Sequence, residues 1–262
     1  MELTKIDGLR IYILESLRSG DKKTGLDLKD NLRQIWYEQD ITDFDCQYYE
    51  VFNSNGLESQ LERIKDEILK ENKIPIIQFE CHGSESGIQL ASSELINWKD
   101  LFNHLRPINI ASWNLLLLTL SMCNGDCVIR YIDPAQRAPF RAVIGPTGNV
   151  LPCTLEDSWC TFYTKFKKSI SQDYGLHKLA QESGFIYYNQ DFIFDAYFDL
   201  ANKDPELFAE MRDRELYEMY KLEGLLEMSL EIYRKWVANE QAKIKAKYRF
   251  LFCFDDLKPS EE

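Results

Sequence analysis

Apolar positions along this chain follow two alternating rhythms. Leu9-Arg10-Ile11-Tyr12-Ile13-Leu14 is a compact apolar run with β-branched residues, and it predicts a first strand. Past the polar stretch from Glu15 to Thr24, the residues Leu26, Leu28, Leu32, Ile35 and Trp36 recur at the spacing of an amphipathic helix. Gln47-Tyr48-Tyr49-Glu50-Val51-Phe52 predicts a second strand. Leu57, Leu61, Ile64, Ile68 and Leu69 then predict a second helix. Ile74-Pro75-Ile76-Ile77-Gln78-Phe79-Glu80-Cys81 reads as an interior strand that stops at His82-Gly83. A helix from Trp98 to Leu105, a strand from Leu115 to Leu120 and another from Phe140 to Gly145 continue the alternation. Strands separated by helical patterns imply right-handed βαβ crossovers. The fold class predicted is therefore α/β, a mostly parallel central sheet in three α/β/α layers with a helical C-terminal extension.

The character changes after about Leu151. Leu155 to Ile170 predicts a helix rich in aromatic residues, and helical patterns run on from Gln190. Asp204-Pro205 has the form of a helix start, with Asp204 as the cap and Pro205 in the first turn. Tyr248-Arg249-Phe250-Leu251-Phe252-Cys253-Phe254 reads as a last, edge strand. The division expected is residues 1–170 as the sheet-containing domain and 171–262 as a mostly helical region packed on it. Between Gln190 and Lys247 apolar residues outnumber what one narrow helix stripe needs, which predicts a second buried surface, part of it covering one face of the sheet and the remainder forming an interface with a regulatory or complex partner protein.

Composition narrows the function. The chain has 262 residues, of which 45% are hydrophobic, enough for one large core or a core and a small lobe. Its net charge of −12 argues against nucleic acid or an acidic membrane as partner. The 7 cysteines are odd in number and show no CxxC pair, so neither a disulfide framework nor a zinc site is favoured; no metal and no cofactor is expected. Met1-Glu2-Leu3-Thr4-Lys5 lacks the pattern of a secretory leader, and no apolar run reaches membrane-spanning length, so a reducing cytoplasmic setting is expected. No Gly-rich phosphate loop follows the first strand, since Arg18-Ser19-Gly20-Asp21 has neither the P-loop lysine pattern nor GxGxxG.

His82 and Cys123 carry the candidate chemistry, because each stands where a buried apolar run stops. In open α/β sheets the reactive groups gather beyond the carboxyl ends of the strands. An imidazole and a thiol brought to that edge form a base and nucleophile pair. Cys127 lies past Gly125 and is the rival nucleophile, read as structural. Cys81 should face the opposite side of its strand from His82. His104 and His177 read as structural.

With these motifs placed, the chain from about Gly8 to Phe166 resembles the caspase-type cysteine peptidases, which include caspases, metacaspases and CHAT-type bacterial relatives. The resemblance rests on Leu17-Arg18-Ser19-Gly20-Asp21 with Asn31-Leu32-Arg33, on Glu80-Cys81-His82-Gly83 with Glu94 to Leu101, and on Leu118 to Cys123 with Gly125-Asp126. It implies a cysteine endopeptidase acting on a protein substrate. Cys123 would be the nucleophile and His82 the proton carrier, with the amides of Gly83 and Cys123 at the oxyanion. Arg18 matches a basic residue of the primary pocket of aspartate-specific members. Ser121 replaces a glutamine two residues before the nucleophile, and Glu156 and Asp157 stand where a second arginine would be expected. A basic or small primary residue therefore stays open beside aspartate. The stretch from Asp126 to Pro139 is short for a cleavable linker, which points to control by a partner or an allosteric change, as in proteolytic arms of bacterial defence or signalling systems. The alternative is an inactive caspase-like scaffold that binds a partner protein.

Overall fold

The computed structural model describes residues 8–38, 44–166, 173–203, 243 and 245–257. The strands are β1 (Leu9–Ser16), β2 (Phe44–Glu50), β3 (Ile74–Ser84), β4 (Gly87–Gln89), β5 (Leu95–Asn97), β6 (Leu117–Ser121), β7 (Ala142–Gly145) and β8 (Ile186–Asn189). The helices are α1 (Thr24–Glu38), α2 (Ser54–Glu71), α3 (Trp98–Ala111), α4 (Pro152–Lys165), α5 (Asp173–Glu182) and α6 (Gln190–Lys203). The main sheet has the order β2-β1-β3-β6-β7-β8. Every pairing in it is parallel except β7 with β8, which is antiparallel. The three-layer, mostly parallel architecture expected from the alternating rhythms is present.

Alternation along the central strands separates the two faces. Leu9, Ile11 and Ile13 of β1, Ile76 of β3 and Leu117 of β6 share a core with Leu28, Leu32 and Trp36 of α1 and Leu155, Trp159 and Phe162 of α4. Arg10, of opposite parity, meets α2, where its guanidinium pairs with Glu67 and Glu71. Leu57, Leu61, Ile64 and Ile68 form the buried stripe of α2. Asn53 caps its start by accepting from the Gly56 amide, and Asn72 ends it in the left-handed region at φ 52°.

Contacts divide the chain into two compact units, Met1–Ile132 with Pro139–Asn189, and Asp133–Ala138 with Gln190–Glu262. The first holds the sheet and α1 to α5. Within the second, Phe194 of α6 packs on Phe198 and Phe252, and Arg137 pairs with Asp256 while lying over the ring of Phe254.

Several expectations are corrected. Tyr248 to Phe254 is not a strand: residues 245–252 are helical and 253–254 form a turn. Within that helix Tyr248 and Phe252, one turn apart, are buried while Phe250 between them is exposed, and Cys253 and Phe254 are buried in the turn that follows. The edge strand is instead β8, an Ile-Tyr-Tyr-Asn segment that begins two residues after the left-handed Gly184. His82 does not sit in a loop, because β3 continues to Ser84 and pairs there with β4. The Asp204-Pro205 helix start, Ile170 and most of the stretch from Glu206 to Lys247, including Leu207, Phe208, Met211, Leu216, Met219 and Tyr220, lie outside the described residues.

Candidate active site

Three strands deliver the candidate residues to one sheet edge. Glu15 of β1 stands opposite Glu80 of β3, and Glu80 stands opposite Ser121 of β6. Two residues further along each strand come His82 on β3 and Cys123 after β6, so the parallel register places both at the same level. Gly83 confirms the close approach, because a Cβ on it would lie 2.1 Å from the Cys123 carbonyl oxygen and 2.8 Å from Met122 Cγ. Only a residue without a side chain allows that contact.

His82 opens a second, antiparallel ribbon in which it pairs with Gln89, Gly83 with Ile88 and Ser84 with Gly87. Trp98, buried at the start of α3, donates its indole N–H to the Glu85 carbonyl at 2.9 Å and ties down the turn of this ribbon. The imidazole is therefore carried by backbone paired with β4, one residue past the last pairing of β3 with β1. Its Nε2 lies 2.9 Å from Asp21 Oδ2.

Cys123 is half-buried. Its sulfur accepts from the Val150 amide at 3.5 Å and lies 3.7 Å from the Val150 carbonyl oxygen. The next residue, Asn124, takes a left-handed conformation at φ 56° and donates its amide to the Gly148 carbonyl, turning the chain into a short 3-10 helix over Gly125–Tyr131. Among the described residues no hydrogen bond joins the Cys123 and His82 side chains directly. The other thiols differ in availability. Burial pushes up the thiols of Cys46, Cys81, Cys127 and Cys160, which leaves them less thiolate, while Cys153 is exposed.

The expected pocket residues are only partly brought together. Arg18 donates from Nη2 to Gln89 Oε1 at 2.9 Å, next to the His82 pairing, and its amide donates to Asp21 Oδ2 at 2.9 Å. Glu156 is tied to Lys22, the neighbour of Asp21, by an ion pair. Asp157 is exposed on α4. Ser121 is buried and its hydroxyl serves Glu80 rather than an open cleft.

Two features escaped the sequence reading. Asp21 is the first: the His82 ring N–H and then the Arg18 amide hold its carboxyl below the usual carboxylate range. A Ser-Gly-Asp turn directly after β1 was its only local signal. The second is a buried polar layer beneath the site. Thr119 and Tyr163 hydroxyls both donate to Gln78 Oε1 at 2.7 Å, and Gln78 Nε2 donates to Glu80 Oε1 at 2.7 Å. Thr24 donates its hydroxyl to Glu80 Oε2 at 2.7 Å, and the Gly25 amide and Tyr48 hydroxyl serve Glu15. Burial pushes the Glu80 carboxyl up to about 7. The period-2 spacing of Gln78 and Glu80, matched by Thr119 and Ser121, was the available signal.

Among the described residues no group of three or more His, Cys, Asp and Glu side chains is placed to hold a metal ion, and no helix is long and apolar enough to cross a membrane.

No known family profile matches the chain. No curated protein sequence matches it. Among solved structures the chain is similar to the Drosophila initiator caspase Dronc, with a TM-score of 0.52 over 71% of this chain and 81% of that one, at 11% sequence identity. At that identity the likeness shows the fold alone, which is caspase-like.

Proposed function

We propose that this chain is a cysteine endopeptidase that cleaves a protein substrate through Cys123 and His82. The observation that carries the reading is the register of β1, β3 and β6, which supports a thiol and an imidazole at one level of one sheet edge, with Gly83 packed against the Cys123 backbone. The Cys123 thiolate attacks the scissile carbonyl and forms a tetrahedral oxyanion facing the amides of Gly83 and Cys123. Collapse expels the amine, which takes its proton from the His82 imidazolium and leaves a thioester. Water then attacks the thioester, His82 accepts its proton, and the carboxylic product leaves with Cys123 regenerated as thiolate. No cofactor enters this cycle.

Arg18 is the residue proposed to meet the primary side chain of the substrate. Its hydrogen-bonded partner is the neutral Gln89 amide, whereas Glu156 is already paired with Lys22. Asp157, exposed on α4, is the other proposed neighbour of the substrate. A regulatory protein binding the region 171–262 is the proposed source of control, in a signalling or defence role.

A peptidyl ketone probe tests the reading. Covalent labelling of Cys123 that disappears in Cys123→Ala and His82→Ala supports it. Label found only on Cys153 sinks it. One observation favours the second reading, a non-catalytic scaffold: the Cys123 sulfur is engaged with the Val150 backbone instead of His82. Folded wild type that takes no label, with or without a protein partner present, returns the chain to that role.

A further inference from the structure

Among the described residues, the group hydrogen-bonded to the His82 ring comes from a loop rather than from the sheet, and the loop is the short connection from β1 to α1. Its Asp21 carboxylate lies 2.9 Å from Nε2. An ionised carboxylate has no proton to give, so the ring nitrogen facing it must carry one. That leaves Nδ1 as the nitrogen free to accept a proton in the neutral ring.

Asp21 is itself firmly held. Oδ2 also accepts the Arg18 amide at 2.9 Å, and the Asp21 amide returns to the Arg18 carbonyl at 3.0 Å, which closes a tight turn. Both ends of that turn are rooted in buried structure. Ser16 donates to the Val51 carbonyl at 2.6 Å on one side, and Thr24 and Gly25 bind the buried Glu80 and Glu15 carboxyls on the other. Between these roots, Lys22 pairs with Glu156 and Lys23 reaches Glu50 and the Leu17 carbonyl. A surface ion pair joining two mobile side chains would not have such a frame. Glu80 is nearer to His82 in sequence, but its oxygens are committed to Gln78, Thr24 and Ser121.

We propose that Asp21 is a positioning residue for His82, anchoring Nε2–H so that Nδ1 is the nitrogen presented for proton exchange with Cys123. This rests on the peptidase reading above. Asp21 acts through the imidazole and touches no reacting atom. The bond is partly exposed in the free protein, with the His82 side chain 49% accessible, and a bound substrate that excludes water strengthens it.

The test uses the full chain and two readouts. The first is the hydrogen-bonded imidazole N–H proton of His82 by nuclear magnetic resonance, recorded in Cys123→Ala so that it owes nothing to catalysis. It is expected in the parent and lost on Asp21→Ala. The second is the rate of iodoacetamide alkylation at Cys123, with the exposed Cys153 as internal standard. Misplacing a catalytic group costs on the order of 100-fold, so Asp21→Ala is expected to fall toward the His82→Ala rate. Asp21→Asn, which keeps an acceptor, should recover part of it. Lys22→Ala removes one ion pair of the same loop without touching the ring and should impair both readouts less than Asp21→Ala. The inference is overturned if Asp21→Ala changes neither readout, or if Lys22→Ala impairs both as strongly. Wild-type Cys123 reacting no faster than Cys153 would count against the peptidase reading, and the imidazole resonance then decides alone whether Asp21 anchors His82.

Discussion

Glu15 and Glu80 stand directly opposite one another on the parallel strands β1 and β3, and both side chains are fully buried. Two carboxyls buried opposite one another on adjacent strands cannot both carry charge cheaply. The protein surrounds them with donors from four elements: Thr24 and Gly25 of α1, Tyr48 of β2, Gln78 of β3 and Ser121 of β6. This layer holds the start of α1, and with it the turn carrying Arg18 and Asp21, against the strand that carries His82.

A pH dependence of stability follows from Glu80. Its carboxyl rises from the ordinary 4.5 to about 7 in the folded chain. Between these values the folded state keeps a proton that the unfolded state has released. The contribution is complete below about pH 4.5 and is lost as pH rises through about 7. It amounts to on the order of 3 kcal/mol. Asp21, Glu71, Glu94 and Asp256 are held low, act in the opposite sense and do so in more acidic solution. Urea unfolding at pH 5 and pH 8 should show wild type losing stability at the higher value, and Glu80→Gln should flatten the difference. An equal slope in both proteins would remove Glu80 from the explanation.

Thr24→Val keeps the shape of the side chain and deletes the hydroxyl that binds Glu80 Oε2. A buried carboxyl short of one donor costs about 1–3 kcal/mol, and denaturant midpoints should fall accordingly. Loss of that bond frees the first turn of α1, so Cys123 alkylation should slow as well. Unchanged midpoints would mean that the donor is replaceable by water.

Gly83→Ala puts a methyl group 2.1 Å from the Cys123 carbonyl oxygen. Backbone must move apart there, at a cost of about 1–3 kcal/mol. The expected result is a lower melting temperature together with loss of probe labelling at Cys123, because the displaced strand ends are those that carry the thiol and the imidazole. Full labelling in this variant would separate Gly83 from the site.

Primary-residue preference is read with a peptide library of varied charge. An acidic preference that disappears in Arg18→Ala is expected, given the neutral Gln89 partner of Arg18 and the Lys22 partner of Glu156. A basic preference that depends on Glu156 or Asp157 would reverse the assignment.

The amino-acid sequence by itself determined the kind of the long central elements, β1, β2, β3, β6 and β7 with α1 to α4, but not the short β4, β5 and β8 or α5. Alternating runs such as Leu9 to Leu14 and stripes such as Leu57, Leu61, Ile64 and Ile68 state their period directly, because each buried face is a local repeat. The same locality placed His82 and Cys123 near the ends of central strands. It misread Tyr248 to Phe254, where aromatic residues suit strand and helix alike and residues 245–252 are helical. What tertiary structure alone decided was register. That Glu15, Glu80 and Ser121 stand level on β1, β3 and β6, that Gly83 meets the Cys123 carbonyl, and that Asp21 reaches a histidine 61 positions away all depend on how strands far apart in sequence are aligned. Backbone hydrogen bonds between parallel strands are nearly indifferent to side-chain identity, so this alignment comes from the packing of whole faces and leaves no mark in a local stretch of residues.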